Sequence, residues 1–176
     1  MVRKQATVNP ARFLVPLIAL ALVSACARGS GRDTASRKNL AVARGYVEAM
    51  NRGDASYLDD YFGPGYVYHG VMGELDADGF EAMHAMVLAD FQHMRITADD
   101  MIASGNEVVT RWTTHGKQEG PFQGIAPTGK EVTIHGIIIS RFVDGKVVEA
   151  WEQLDFLGMW RQLGVAEPAG GGGTPD

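Results

Sequence analysis

The feature that most constrains this chain is a change of period. From about residue 37 to residue 93 apolar side chains recur mainly at helical spacing, and from Met94 to Leu154 they alternate as in extended strands. Ser36 can cap a helix running to about Asn51, with Leu40, Ala43, Val47 and Met50 on one stripe. Asp54 can cap a shorter helix that places Tyr57, Leu58, Tyr61 and Phe62 together before Gly63-Pro64-Gly65 stops it. Tyr66 to His69 is a brief strand. Asp78, with Glu81 three residues on, reads as the start of a third helix carrying Phe80, Met83, Val87, Leu88 and Phe91.

Strands are then expected over Met94–Ile102, Glu107–His115, Glu131–Phe142 and Lys146–Leu154, with turns at Ser104-Gly105-Asn106 and Asp144-Gly145 and a Gly/Pro-bearing loop from Gly116 to Gly129. Helices segregated from a meander of strands indicate an α+β fold, a curved antiparallel sheet packed on three N-terminal helices.

The last strand carries unusual charge. Alternation puts Val148, Ala150, Glu152 and Leu154 on one face and Val147, Glu149, Trp151 and Gln153 on the other, so Glu152 shares its face with three apolar side chains. A carboxylate so placed either sits in a pocket, where desolvation raises its pKa toward the range useful for taking and returning protons, or lies at a rim paired with Arg111, Arg141 or Lys146.

The N-terminus reads differently from the globule. Arg3, Lys4 and Arg12 precede an apolar run from Phe13 to Val23, and Leu22-Val23-Ser24-Ala25 leads to Cys26, the single cysteine. Residues 1–25 are expected to be a signal peptide, 26–36 a flexible tether, 37–165 the folded domain and 166–176 a disordered Gly/Pro tail. The Leu22–Cys26 string resembles the lipobox of bacterial lipoproteins, which implies export, lipidation of Cys26 and anchoring at the cell envelope. An ordinary secretory signal or an uncleaved anchor is the alternative. The chain has 16 Lys+Arg against 21 Asp+Glu, and the leader contributes three of the basic groups and no acid, so cleavage takes the net charge from −5 to −8. That balance argues against nucleic acid as a partner.

Four strings then occur in order: Gly120-Pro121-Phe122-Gln123-Gly124-Ile125-Ala126-Pro127-Thr128-Gly129-Lys130, Arg141-Phe142-Val143-Asp144-Gly145-Lys146-Val147-Val148-Glu149, Trp151-Glu152-Gln153-Leu154-Asp155, and Leu157-Gly158-Met159-Trp160-Arg161-Gln162-Leu163-Gly164. With the first helix they cover roughly residues 37–164 and resemble the SnoaL-like polyketide cyclase (ester cyclase-like) family of the nuclear-transport-factor-two-like superfold. The resemblance implies a cone-shaped sheet over helices with an apolar cavity at its open end, often in a homodimer through the outer sheet face. It further implies a hydrophobic small-molecule ligand and, in the family's cyclases, an intramolecular aldol closure driven by a carboxylate without metal or organic cofactor. The family's catalytic aspartate falls on Glu152 and its pocket histidine on Ile138, so this chain keeps a carboxylate with a longer arm and loses that imidazole. The competing function is a non-catalytic ligand-binding or protein-interaction module at the envelope.

Further candidates are Tyr68 and His69, of which adjacent strand positions allow one to face the cavity, with Tyr68 the better match to a polar substrate contact. His84 is placed toward the cavity mouth and His115 beside the loop that would close it. Trp151 either walls a ligand or packs in core or dimer, and Asp155 suits a turn or helix cap better than catalysis. The histidines His69, His84, His93, His115 and His135 show no close metal-ligand spacing with carboxylates, and no phosphate-binding Gly-rich loop or nucleophile elbow is visible.

Overall fold

The structure, a computed structural model, describes residues 15–53 and 57–165, with the side chains of 15–30, 57 and 59 outside that description. The expected Gly/Pro tail, most of the leader and the side chain of Cys26 therefore lie outside the described residues. Ten elements follow in order: helix α1 (Val15–Arg52), α2 (Tyr57–Tyr61), strands β1 (Phe62–Gly70) and β2 (Gly73–Leu75), α3 (Ala77–Asp90), β3 (Phe91–Ser104), β4 (Glu107–Gln118), β5 (Glu131–Val143), β6 (Lys146–Leu154), and α4 (Phe156–Leu163).

The strands form one six-stranded sheet in the order β2-β1-β6-β5-β4-β3. The expected antiparallel meander holds for β3 to β6, but β1 runs parallel to β6, so the sheet is mixed. The reason is topological. β1 is made before α3 and the meander, and only the return of the chain after β5 gives it a long neighbour. Register shifts in the β3–β4, β5–β6 and β1–β6 pairings bend the sheet around the helices. One core cluster joins α1 and α3 to the β1/β6 end through Ala43, Leu58, Tyr61, Phe62, Tyr66, Phe80, Phe142 and Val147. A second joins α4 to the other end through Phe91, Phe122, Val132, Met159 and Leu163.

Several local expectations shift. α1 keeps helical backbone through residues 27–36, where the Gly, Ser, Asp and Thr of that stretch favour a tether. Ser36 is thus inside the helix rather than its cap, and its Oγ accepts from the Gly105 N–H at 2.8 Å, while Asn39 Nδ2 donates to the Gly105 carbonyl. The start of α1's packed half is set by a tertiary contact with the β3–β4 turn. The N-cap of α3 is Asp76, not Asp78, its carboxylate accepting from Gly79 N–H. In β6 a bulge falls at Val148, because Glu149 pairs with Arg141 and Val147 with Phe142. It brings Val147, fully buried, into the core cluster with Ala150, against its expected outward parity. Among the described residues no helix is long and apolar enough to cross a membrane.

Candidate functional site

Between the concave sheet face and α1, α3 and α4 lies a cavity of about 170 Å3. Its wall is mostly Leu, Ile, Val, Met and Phe, and among the described residues lining it Glu152 is the only acid. Neighbouring strands bring the polar groups to this carboxylate. Tyr68 stands on β1 opposite Ala150, Glu152 on β6 opposite Ile138, and Trp112 on β4 opposite Gly136. The Tyr68 hydroxyl donates to Glu152 Oε2 at 2.6 Å, and the Trp112 indole donates to the same carboxylate.

Two glycines make this convergence possible. A Cβ on Gly136 would overlap the Trp112 indole, so only glycine lets that ring lie across β5 toward Glu152. A Cβ on Gly70 would overlap the Tyr68 ring, which folds along its own strand to reach the carboxylate.

Burial raises the Glu152 pKa, and the hydrogen bonds from Tyr68 and Trp112, which favour the charged form, offset only part of that rise. The result is a carboxylate easier to protonate than one in water and still supplied with two donors when ionised. Tyr68 is held as a neutral phenol, its pKa raised by burial and by the neighbouring Glu152 charge.

A second polar group comes from the helices. Tyr46 on α1 and His84 on α3 both line the cavity, with the Tyr46 hydroxyl 3.3 Å from His84 Nε2. Tyr46 is stacked on Tyr61 with ring centroids 4.4 Å apart, and His84 packs on Phe80. Burial lowers the His84 pKa to about 4, so the imidazole is neutral at physiological pH.

The structure thus collects Glu152, Tyr68, His84 and Ile138 in one cavity and places the other expected site residues elsewhere. His69 turns outward, with Nδ1 3.1 Å from Glu74 and Nε2 3.1 Å from Glu149, and stacks on Trp151. Trp151 is 38% exposed on the outer face, so it walls no ligand in this cavity. His115 is exposed, its Nδ1 2.8 Å from Thr133 Oγ1, because its position on β4 has outward parity. Asp155 caps α4, accepting from Gly158 N–H at 2.8 Å. The rim alternative for Glu152 fails in detail: Arg141 pairs with Glu149, Arg111 with Asp99, and neither these nor Lys146 is among the groups that set the Glu152 pKa. Sequence reasoning missed Trp112 and Tyr46, together with the buried hydroxyls Thr110, Thr114 and Ser140 on the inner face. A tryptophan facing a strand glycine was the available signal for the first.

The sequence profile of the SnoaL-like polyketide cyclases matches residues 40–163. The chain belongs to the SnoaL-like polyketide cyclase family. An aklanonic acid methyl ester cyclase of Streptomyces galilaeus is 30% identical over 135 residues, spanning 74% of this chain and 94% of the relative. A nogalonic acid methyl ester cyclase of Streptomyces nogalater is 27% identical, spanning 73% and 99%. The crystal structure of AclR from Streptomyces galilaeus superposes with a TM-score of 0.70 at 27% identity, over 76% of this chain and 89% of that one. Within this SnoaL-like domain the position implied for the family's acid/base carboxylate, Glu152, faces Ile138, the position implied for its histidine, directly across the β5–β6 ladder.

Proposed function

We propose that the SnoaL-like domain binds a hydrophobic small molecule in the cavity and performs proton-transfer chemistry on it, with Glu152 as proton carrier and without a cofactor. The observation that carries the reading is a single carboxylate on the mostly apolar wall formed by the described residues, its pKa raised by burial while two donors still support its charged form. Ionised Glu152 removes a proton from carbon beside a carbonyl: the C–H bond breaks, an O–H bond forms on the carboxylate, and the electron pair passes into an enolate. In a cyclisation the enolate carbon attacks a second carbonyl of the same molecule, one C–C bond forms, and the new alkoxide takes the proton back from Glu152. The net change is an isomerisation, which needs no oxidant or reductant. The ester cyclase relatives support this reaction class.

The test is exchange of α-protons for deuterium in a panel of conjugated esters and aryl ketones that includes 2-acetylnaphthalene. The expected result is exchange by the parent domain and a loss of about a hundredfold or more in Glu152→Gln with binding kept. Binding without any exchange by the parent would favour the ligand-binding module.

Anchoring through Cys26 at a bacterial envelope is part of the same proposal and is supported by the Leu22–Cys26 string. Palmitate labelling of the full chain, lost in Cys26→Ser, checks it; unchanged labelling in the variant would overturn it.

A further inference from the structure

The cavity has two polar poles, and only one has its hydrogen bonds arranged. At the first, the Tyr68 and Trp112 donors both end on the Glu152 carboxylate. At the second, Tyr46 and His84 share one hydrogen bond at 3.3 Å, but a neutral phenol and a neutral imidazole own two polar protons between them. If the imidazole proton is on Nε2, it points at the Tyr46 oxygen and the phenol proton is left unused. If it is on Nδ1, the phenol proton points at Nε2 and the Nδ1–H is left with the Phe80 carbonyl alone. Nδ1 is buried and meets no partner in good hydrogen-bond geometry; the carbonyl of Phe80, one turn earlier in the helix, attracts a proton on the ring and offsets part of the cost of its burial. With the proton on Nε2 the phenol lacks an acceptor, and with it on Nδ1 only the Phe80 carbonyl is near, outside good hydrogen-bond geometry, in a cavity whose wall is mostly apolar. A polar group buried without a partner costs free energy, and a ligand oxygen at this pole would recover it.

We propose that Tyr46 and His84 form the recognition pole of the cavity, donating a hydrogen bond to a carbonyl or hydroxyl oxygen of the bound molecule and thereby turning its acidic C–H toward Glu152. The inference rests on the proton-transfer reading above and narrows the ligand class. The ligand is a mainly apolar, ring-sized molecule carrying a hydrogen-bond acceptor at the end nearer α1 and α3, with its enolisable carbon nearer β6. Tyr46 comes from α1 and His84 from α3, whereas Glu152 comes from β6, so the helices hold the ligand and the sheet reacts with it. A hydrocarbon of the same shape would fill the cavity and leave the pole unpaired.

The experiment uses two probes of matched shape, 2-acetylnaphthalene and 2-ethylnaphthalene, binding to the full chain and followed by quenching of tryptophan fluorescence. The parent is expected to bind the ketone about tenfold more tightly than the hydrocarbon, and Tyr46→Phe, which keeps the ring stacked on Tyr61, to reduce that preference to twofold or less. The carbonyl stretch of the bound ketone, labelled with carbon-13, should lie at lower frequency in the parent than in Tyr46→Phe. His84→Gln should reduce the preference likewise, and Tyr46→Phe made in that background should add little. Glu152→Gln should leave the preference intact while abolishing exchange. An unchanged preference and unchanged stretch in Tyr46→Phe would overturn the recognition pole while leaving the Glu152 reading standing. Loss of exchange in Glu152→Gln fails to occur only if the proton-transfer reading is wrong, so the two failures are distinguishable. If the parent binds neither probe, the ligand class proposed here is wrong.

Discussion

Glu149 and Glu152 are the same residue type, three positions apart on one strand, and the two faces of the sheet make them into different acids. Glu149 points outward, where Arg141 and His69 hydrogen-bond its carboxylate and lower its pKa. Glu152 points inward, where burial raises its pKa against the pull of Tyr68 and Trp112. Both have two hydrogen-bonding neighbours. The difference is that the outer partners include a full positive charge in solvent, while the inner partners are neutral donors in an apolar cavity. Proton affinity in this strand is therefore set by the sheet's two-residue period, and a one-residue slip would exchange the roles.

The sharpest way to break this contrast is to neutralise each acid in turn. Glu152→Gln should reduce α-proton exchange by about a hundredfold or more, and Glu149→Gln should leave it within about threefold of the parent. Equal losses in the two variants would mean that the proton carrier lies elsewhere. Stability should respond as well. Because the folded-state pKa of Glu152 is raised, its favourable contribution is present below pH 4.5, the ordinary glutamate value, and is lost as pH rises through the folded value. Glu152→Gln should therefore melt higher than the parent at pH 7, with the advantage disappearing on acidification.

The second polar pole has the opposite sign. His84 is depressed from 6.5 to about 4, so its contribution is fully present above pH 6.5 and is lost as pH falls toward 4. Relative to His84→Gln, the parent should lose at most about 3 kcal/mol across that window, as read from urea unfolding at several pH values. A pH-independent difference between the two would show that the imidazole is not desolvated.

The third expectation concerns the glycine that lets the site close. Gly136→Ala forces a Cβ into the Trp112 indole, and overpacking of this kind costs about 1–3 kcal/mol. Displacing the ring also removes a donor from Glu152, so the carboxylate pKa should rise further. Carbon-13 NMR of the labelled carboxyl would read that shift, and its absence would mean that Trp112 does not support the charged form.

How much of this was legible in the sequence follows from which interactions are local. Lys146–Leu154 has the bounds expected from its alternation and its Asp144-Gly145 turn, because both signals lie within a few residues. Glu152 facing inward followed from the same alternation. The burial of Val147 did not, since the bulge at Val148 depends on how β6 meets β5 and β1. The parallel pairing of β1 with β6 was invisible for a related reason: Tyr66-Val67-Tyr68-His69 shows an extended run but not its neighbour. Tyr46 lies beside the apolar stripe of α1, yet its meaning comes from His84, 38 residues later on another helix, and no local pattern fixes that crossing. The resemblance placed a carboxylate at position 152, while the Trp112–Gly136 pair and the Tyr46–His84 pair came only from the assembled cavity.

The smallest expected effect belongs to the outer acid. Glu149 is a surface carboxylate whose neighbours Arg141 and His69 are themselves partly exposed, so solvent and salt screen the attraction and the side chains lose freedom in forming it. Its lowered pKa means that any stabilisation is present above pH 4.5 and lost as pH falls through the folded value, the reverse of Glu152. Glu149→Gln should shift the melting midpoint at pH 7 only slightly downward, and raising the salt concentration should erase the difference. A large, salt-insensitive loss would show that the outer cluster is shielded from solvent, as it would be if His69, Glu149 and Trp151 were covered by another surface. The contrast between the two glutamates would then be one of partners rather than of exposure.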